Sequence, residues 1–467
     1  MNPRALLFWL LMAIVALAPL PFGSNRPWSW SLLGVLVGLL VLFWVAAAYR
    51  DRTLIQIEWR RSRIIVVPFA VLMLWFLLQA SGLTPDAWHH PLWEKAAGVL
   101  GVPLTGAISL NPEASKMAVM RLLAYGGIFW LAFQLGRNEE HAQRVFWVVA
   151  ITGLVYAIYG LVAHLSGSQK ILWYPKWAYE ESLTSTFINR NNFATYAGIT
   201  LITTLALLVA EIRRILRYSP IAASHFLGFL DACGFRFYLL IVACGTIFTA
   251  LLLSHSRGGF LSALVGIGAF MVVSGMRLRS REPVLNFLPA AIGGTLALGM
   301  IVAILLVSGK QTFTRIDEAL STGGDRLAIY ERTAEAIGDF PMVGTGIGAF
   351  KESFRLYRDA DFRFSVETID RAHNTYLELA LEGGLPALIL MVLLLAYLTL
   401  LCFLGTLRRG RSAIYPAVGV ATTALVATHA MVDFSIQVPA VAATYLLLLG
   451  VGTAQSWSQR AYPAAPV

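Results

Sequence analysis

Charge is scarce in this chain. Only 13% of its 467 residues are Asp, Glu, Lys or Arg, while 57% are hydrophobic. A soluble domain carries roughly a quarter charged residues, so a soluble globular protein is excluded. Cysteine is nearly missing: Cys233, Cys244 and Cys402 are the only three. None falls in a segment expected outside the membrane and none has metal-ligand spacing, so no disulfide and no zinc site is expected. The ~10-residue alternation of a membrane β-barrel is also lacking. There is no internal repeat, low-complexity tract or separate soluble domain.

What the chain has instead is apolar runs long enough to cross the ~30 Å hydrocarbon layer as helices. About twelve spans are expected, at 5–22, 29–49, 64–80, 117–135, 144–165, 193–211, 237–254, 258–276, 287–308, 385–406, 413–431 and 439–455. The fold class is therefore all-α, a polytopic membrane protein. Residues 1–308 hold spans one to nine, 309–384 form a helical cap outside the bilayer, and 385–467 hold the last three spans and a short tail. The N-terminal run has a signal-like "ALA", but Pro19 follows it directly, so it reads as an uncleaved first span.

The few charges set the orientation. "YRDRTLIQIEWRRSR", "GRNEEHAQR", "MRLRSRE" and "RRGR" are short, basic connections, and they alternate with loops that are less basic or long. The basic set belongs in the cytoplasm. Both termini then lie inside, with 81–116, 166–192 and 309–384 outside. The net charge of +10 reads as topology and contact with anionic membrane lipids, and makes no case for nucleic acid.

Several polar residues gather on the outer side. "SHSRGG" places Ser256 and Arg257 at a tight turn between two spans. Arg257 can snorkel to lipid phosphate, or with Ser254, His255 and Ser256 form an anion seat. "INRNN" puts Arg190, Asn191 and Asn192 at the outer end of the sixth span. The asparagines can cap that helix or contact a ligand. A cation is disfavoured at a helix N-terminus, and a bound anion would relieve Arg190 there. In "RAHNTYLELALEGGLPAL", Thr375 and Glu378 fit a capping box, so a helix should start near Asn374 or Thr375. His373 then sits just before the N-terminus, which disfavours an imidazolium and suits a neutral base. Glu378 and Glu382 share a face at i, i+4 of a short amphipathic helix expected on the outer surface. His429 and Asp433 are again i, i+4 and outward: they either lock two helices or serve the site. Asp359 and Asp361 form a DxD, which either holds a divalent metal or pairs with Arg358 and Arg363. Trp88 and Trp93 in the first outer loop read as an interfacial belt or as sugar-stacking rings. An outward site of arginines and a histidine suits an anionic, lipid-linked donor.

The segments "INRNNFATYAGI", "SHSRGGFLSAL", "GDFPMVGTGIGAFKESF", "RAHNTYLELALEGGLPAL" and "THAMVDFSIQVPA", over about residues 180 to 445, resemble the bacterial O-antigen ligase/polymerase superfamily. One departure is Ala387, where a glycine is frequent. The resemblance implies a membrane glycosyltransferase of the bacterial inner membrane with a periplasmic active site. It implies transfer of a glycan from an undecaprenyl-diphosphate carrier to lipid A–core or to a growing polysaccharide, with no metal or cofactor. His373 is implied as the catalytic residue and Arg257 as the donor-diphosphate ligand. Arg190 would assist. The residues themselves add Asn191, Asn192, Ser256, Asn374, Glu378, Glu382, His429 and Asp433 as candidate substrate contacts. The "VDFSIQVPA" ending leans slightly towards a polymerase or a general ligase-like transferase. The rival class is a transporter or flippase of lipid-linked oligosaccharide. That class should show repeated halves and polar groups at the bilayer midplane, and this sequence shows neither.

Overall fold

The computed structural model describes residues 3–218, 226–276, 312–358 and 369–457. The helices are α1 (Pro3–Leu17), α2 (Pro27–Arg50), α3 (Trp59–Gln79), α4 (Leu92–Leu100), α5 (Pro112–Leu135), α6 (Glu139–Leu165), α7 (Arg190–Tyr218), α8 (Phe226–Ala232), α9 (Phe235–Leu253) and α10 (Arg257–Met276). They continue with α11 (Thr312–Asp339), α12 (Phe350–Arg355), α13 (Thr375–Gly383), α14 (Leu385–Arg408), α15 (Ile414–His429) and α16 (Pro439–Gln455). Among the described residues the only strands are β1 (Lys170–Ile171) and β2 (Tyr174–Pro175), antiparallel with Ile171 opposite Tyr174. The protein is an all-α polytopic membrane protein. Among the described residues eight helices are long and apolar enough to cross a membrane, and α1, α15 and α16 are shorter apolar helices. The expected span at 287–308 and the Asp359/Asp361 pair lie outside the described residues.

A helix apolar on every side belongs either in a protein core or in lipid, and both cases occur. The most apolar window of α7 is 94% buried, whereas that of α14 is 22% buried. α7 is the central post, packed against α6, α9, α10 and α15. α14 turns Ile389, Leu393 and Leu400 outward, as a lipid-facing helix does. Small residues let the inner helices approach. A Cβ at Gly266 of α10 would lie 2.9 Å from the Ala421 carbonyl oxygen of α15.

Hydrogen bonds tie the loops together at two ends of the bundle. At one end Gln134 Oε1 accepts from the Gln56 and Ile57 N–H groups at 2.9 and 3.0 Å, and Arg137 donates to the carbonyls of Ala454 and Trp457 at 3.0 and 2.8 Å. At the other end the starts of α7, α10 and α13 meet the turn after α15.

The cap (α11 to α13) is stitched to the bundle at that second end. Gln79 Nε2 donates to the carbonyls of Val343 (2.7 Å) and Glu382 (2.9 Å). Leu110 N–H donates to the Thr345 carbonyl at 3.0 Å, and Asn111 Nδ2 to Glu352 at 3.1 Å. The first outer loop thus docks on the cap. Its two tryptophans contact protein: Trp93 donates to the Ser109 carbonyl at 3.2 Å, and Trp88 meets Trp75 edge-on. Gly384 joins α13 to α14 at φ +81°, in a region open only to glycine, and Pro386 follows in the first turn of α14.

Candidate active site

The starts of α7 and α10 are locked together. Asn189 caps α7, its Oδ1 accepting from the Asn191 N–H at 2.8 Å. This releases Asn191 and Asn192 from the capping role the sequence offered them. Asn191 Oδ1 accepts from Ser256 Oγ at 2.8 Å, and Ser256 Oγ accepts from the Gly259 N–H at 3.2 Å, capping α10. Asn192 Oδ1 accepts from Ser435 Oγ at 3.0 Å. Arg190 and Arg257 are therefore each the first residue of a helix, and the two helix starts are joined by one side-chain hydrogen bond. The Arg190 guanidinium lies over the Tyr179 ring at 5.3 Å and donates to Ser182 Oγ at 3.3 Å. Arg257 is exposed. Its guanidinium makes no hydrogen bond or ion pair among the described residues.

His373 stands next to this pair of helix starts. Asn374 caps α13 through bonds from the Tyr376 and Leu377 N–H groups at 3.0 and 3.1 Å. Thr375, expected as a capping residue, binds elsewhere: its Oγ1 donates to the Asp433 carbonyl at 3.0 Å, and its N–H to the Ala430 carbonyl at 2.8 Å. Those two bonds fasten α13 to the turn after α15. His373 has φ +52°, and its carbonyl accepts from Tyr330 Oη at 2.9 Å. Its Nδ1 lies 3.8 Å from Asp433 Oδ1, with the histidine side chain 30% exposed and the aspartate 1%. Among the described residues neither His373 Nδ1 nor Asp433 Oδ2 has a hydrogen-bond partner. Burial works to raise the Asp433 pKa, but the His373 and His429 rings and the Phe434 N–H outweigh it, and the net shift is downward. Asp433 is thus an ionised, buried carboxylate behind a half-buried imidazole.

Glu378 and Glu382 do not face outward on a surface helix. Both are buried, at 1% and 4% exposure, because α13 packs beneath α11 and α12. The Glu378 carboxylate accepts from Arg371 Nη1 at 2.8 Å and from the Ala372 N–H at 2.9 Å. Arg371 also donates to Gln437 Oε1 at 2.7 Å. Glu382 Oε1 accepts from the Phe350 N–H at 2.9 Å, at the start of α12. Burial, with the Glu378 charge nearby, pushes the Glu382 pKa up to about 8.

His429 is 2% exposed, and its Nδ1 is 2.6 Å from Thr195 Oγ1 of α7. A Cβ at Gly258 would come within 3.3 Å of His429 Nε2, so the glycine brings the start of α10 against this ring. Arg326 of α11 donates to the Val432 carbonyl at 3.3 Å. The structure therefore gathers Arg190, Asn191, Asn192, Ser256, Asn374, His373, His429 and Asp433 around one end of α7, with Glu378 and Glu382 set behind them. Sequence reasoning missed Asn189, Thr195, Tyr179, Tyr330, Arg326 and Arg371. Arg371 alone had a local signal, two residues before the histidine. Among the described residues no group of three His, Cys, Asp or Glu side chains is placed to hold a metal ion.

Residues 242–392 match the family model Wzy_C, described as O-Antigen ligase. Over this segment, about a third of the chain, the protein is similar to the O-antigen ligase-like superfamily. The match contains Arg257, Arg326, His373, Glu378 and Glu382, while Arg190, His429 and Asp433 reach the O-antigen ligase segment from outside it. No curated protein matches the chain. An O-antigen ligase family implies a glycosyltransferase-type enzyme and, in general terms, a lipid-linked glycan and an acceptor as its partners.

Proposed function

We propose that this protein transfers a glycan from an undecaprenyl-diphosphate carrier to a saccharide acceptor, either lipid A–core or a growing polysaccharide. The reaction takes place at the periplasmic face of the bacterial inner membrane, with both termini in the cytoplasm. One observation carries this reading: two arginine-bearing helix starts are bonded together beside a histidine backed by a buried aspartate. Helix N-termini and guanidinium groups both favour phosphate oxygens, so Arg257 and Arg190 suit the carrier diphosphate.

The acceptor hydroxyl oxygen forms a bond to the anomeric carbon of the donor sugar. The bond from that carbon to the diphosphate oxygen breaks, and its electron pair leaves on the diphosphate. Arg257 and Arg190 stabilise the charge that develops there. The hydroxyl proton passes to His373 Nε2. Asp433 favours a proton on Nδ1, which leaves Nε2 as the base. No metal or cofactor enters these steps.

The test uses full-length protein in nanodiscs, a labelled undecaprenyl-diphosphate-linked glycan and candidate acceptors. The expected outcome is released undecaprenyl diphosphate with glycan on the acceptor. Movement of intact donor across a vesicle membrane with no product would instead support a transporter. The acceptor that gains the label separates ligase from polymerase.

A further inference from the structure

The loop between α6 and α7 carries more than Tyr179 and Ser182. It opens with β1 and β2, whose turn holds Leu172 and Trp173. The hairpin is pinned to the bundle: the Leu172 N–H donates to Tyr159 Oη of α6 at 2.6 Å, and Ile171 is buried. Tyr174 meets Phe22 edge-on, and Arg26 lies over the Trp177 ring at 4.9 Å, so these two rings hold the loop against the turn before α2. Trp173 has no such task. It is 73% exposed, and among the described residues its ring contact is with Tyr174.

Beside the hairpin is a polar cleft of about 130 Å³. Lys170 and Lys176, which flank the hairpin, line it together with His164, Gln169, Glu180 and Glu181. Lys176 is fixed there, its Nζ donating to the Ser182 carbonyl at 2.6 Å. The hydroxyl of the same serine accepts from Arg190 Nη1 at 3.3 Å. One residue thus joins the cleft to an arginine of the candidate active site. The lining mixes cations with carboxylates, so it has no field of one sign to select an anion. Hydroxyl groups, which donate and accept, match such a mixed lining. A sugar ring also offers an apolar C–H face, which suits an open indole. The cleft is well below the roughly 300–1,000 Å³ that encloses a drug-sized ligand, so it takes one ring of a longer chain. A tryptophan that only anchored the loop at the membrane interface would need no polar cleft beside it.

We propose that the cleft and Trp173 form a saccharide-binding subsite, which holds a sugar ring next to the arginine-bound diphosphate. This rests on the reading of the site as one for a diphosphate-linked glycan donor. The ring belongs either to the carrier-linked glycan or to lipid A–core, and the two share the chemistry that the subsite recognises. Trp173 stacks on the ring, and the lysines and carboxylates of the cleft bond its hydroxyls. In "SQKILWYPKWAYEES" the rings and charges are plain, but only the fold shows which ring is open and that the charges share a cleft.

The experiment measures binding of three probes to full-length protein in nanodiscs: undecaprenyl-diphosphate-linked glycan, lipid A–core, and undecaprenyl diphosphate without sugar. Trp173→Ala should weaken one of the two sugar-bearing probes by about three- to tenfold, as loss of one ring stack does. It should leave the sugar-free carrier unchanged. The probe that weakens shows whose ring the subsite holds. Trp173→Phe keeps a ring and should restore most of the loss. Should Trp173→Ala lower Tm substantially, Lys170→Ala, at an exposed residue of the cleft, decides by the same comparison. Wild-type affinity for both sugar-bearing probes in the deciding variant, or an equal loss for the sugar-free carrier, overturns the proposal and leaves the donor reading standing. A wild-type protein that binds none of the three probes overturns both.

Discussion

Asp433 Oδ1 lies 3.8 Å from His373 Nδ1, with the aspartate buried in the turn after α15 and the histidine at the start of α13. The two are brought together by backbone and side-chain bonds from Thr375 to that turn. A shift of less than 1 Å would convert the ion-pair distance into a hydrogen bond. Asp433→Asn keeps the shape and removes the charge that selects the Nδ1–H tautomer. Its kcat should fall by about tenfold or more, with KM little changed. Steady-state kinetics of the transfer reaction checks this.

Glu378 grips both residues that precede His373, through Arg371 Nη1 and the Ala372 N–H. Removing Glu378 leaves Arg371, whose side chain is 23% exposed, without its carboxylate, and the Ala372 N–H without its acceptor. Glu378→Ala should therefore cost about 1–3 kcal/mol of stability. A double-mutant cycle with Arg371→Ala, read by thermal unfolding, should show a coupling well above zero, because the double variant loses less than the sum.

Glu382 gives stability a pH dependence. Its pKa is about 8 in the fold against the ordinary 4.5, so between those values the folded protein holds a proton that the unfolded chain has released. The carboxyl contributes no penalty below about pH 4.5. Its penalty grows as pH rises through that window and levels off above about 8. Relative to Glu382→Gln, wild-type Tm should fall steadily from pH 5 to about 8. A wild type whose Tm tracks the glutamine variant at every pH would contradict this placement.

Gly384 sets the corner between cap and lipid-facing helix. At φ +81° an alanine is strained, and its Cβ would run into the Met342 carbonyl oxygen. Gly384→Ala should cost about 1–3 kcal/mol or more, and should loosen the cap before the bundle. Hydrogen exchange in α12 and α13 would report that order.

The long apolar helices were legible in the sequence because each is a local run of apolar residues. Arg190, Arg257 and His373 stood out as candidates for a related reason: a charge beside a span is conspicuous against so apolar a background. The partners of these residues were not. Asn189 and Asn191 are chemically identical in sequence, and only the turn geometry decides which one caps α7. Glu378 and Glu382 looked like a surface face because i, i+4 spacing cannot say what packs above a helix. The cap that covers them is built from distant segments. Thr195 and Arg326 come to the site only through tertiary packing, so no local pattern marks them.

The central claim is that His373 takes the acceptor proton beside an arginine-bound diphosphate. Release of undecaprenyl diphosphate by purified His373→Ala, at saturating donor and acceptor, tests it most directly. The account predicts a loss of about a hundredfold or more in turnover with donor affinity retained. Full turnover in that variant would contradict it.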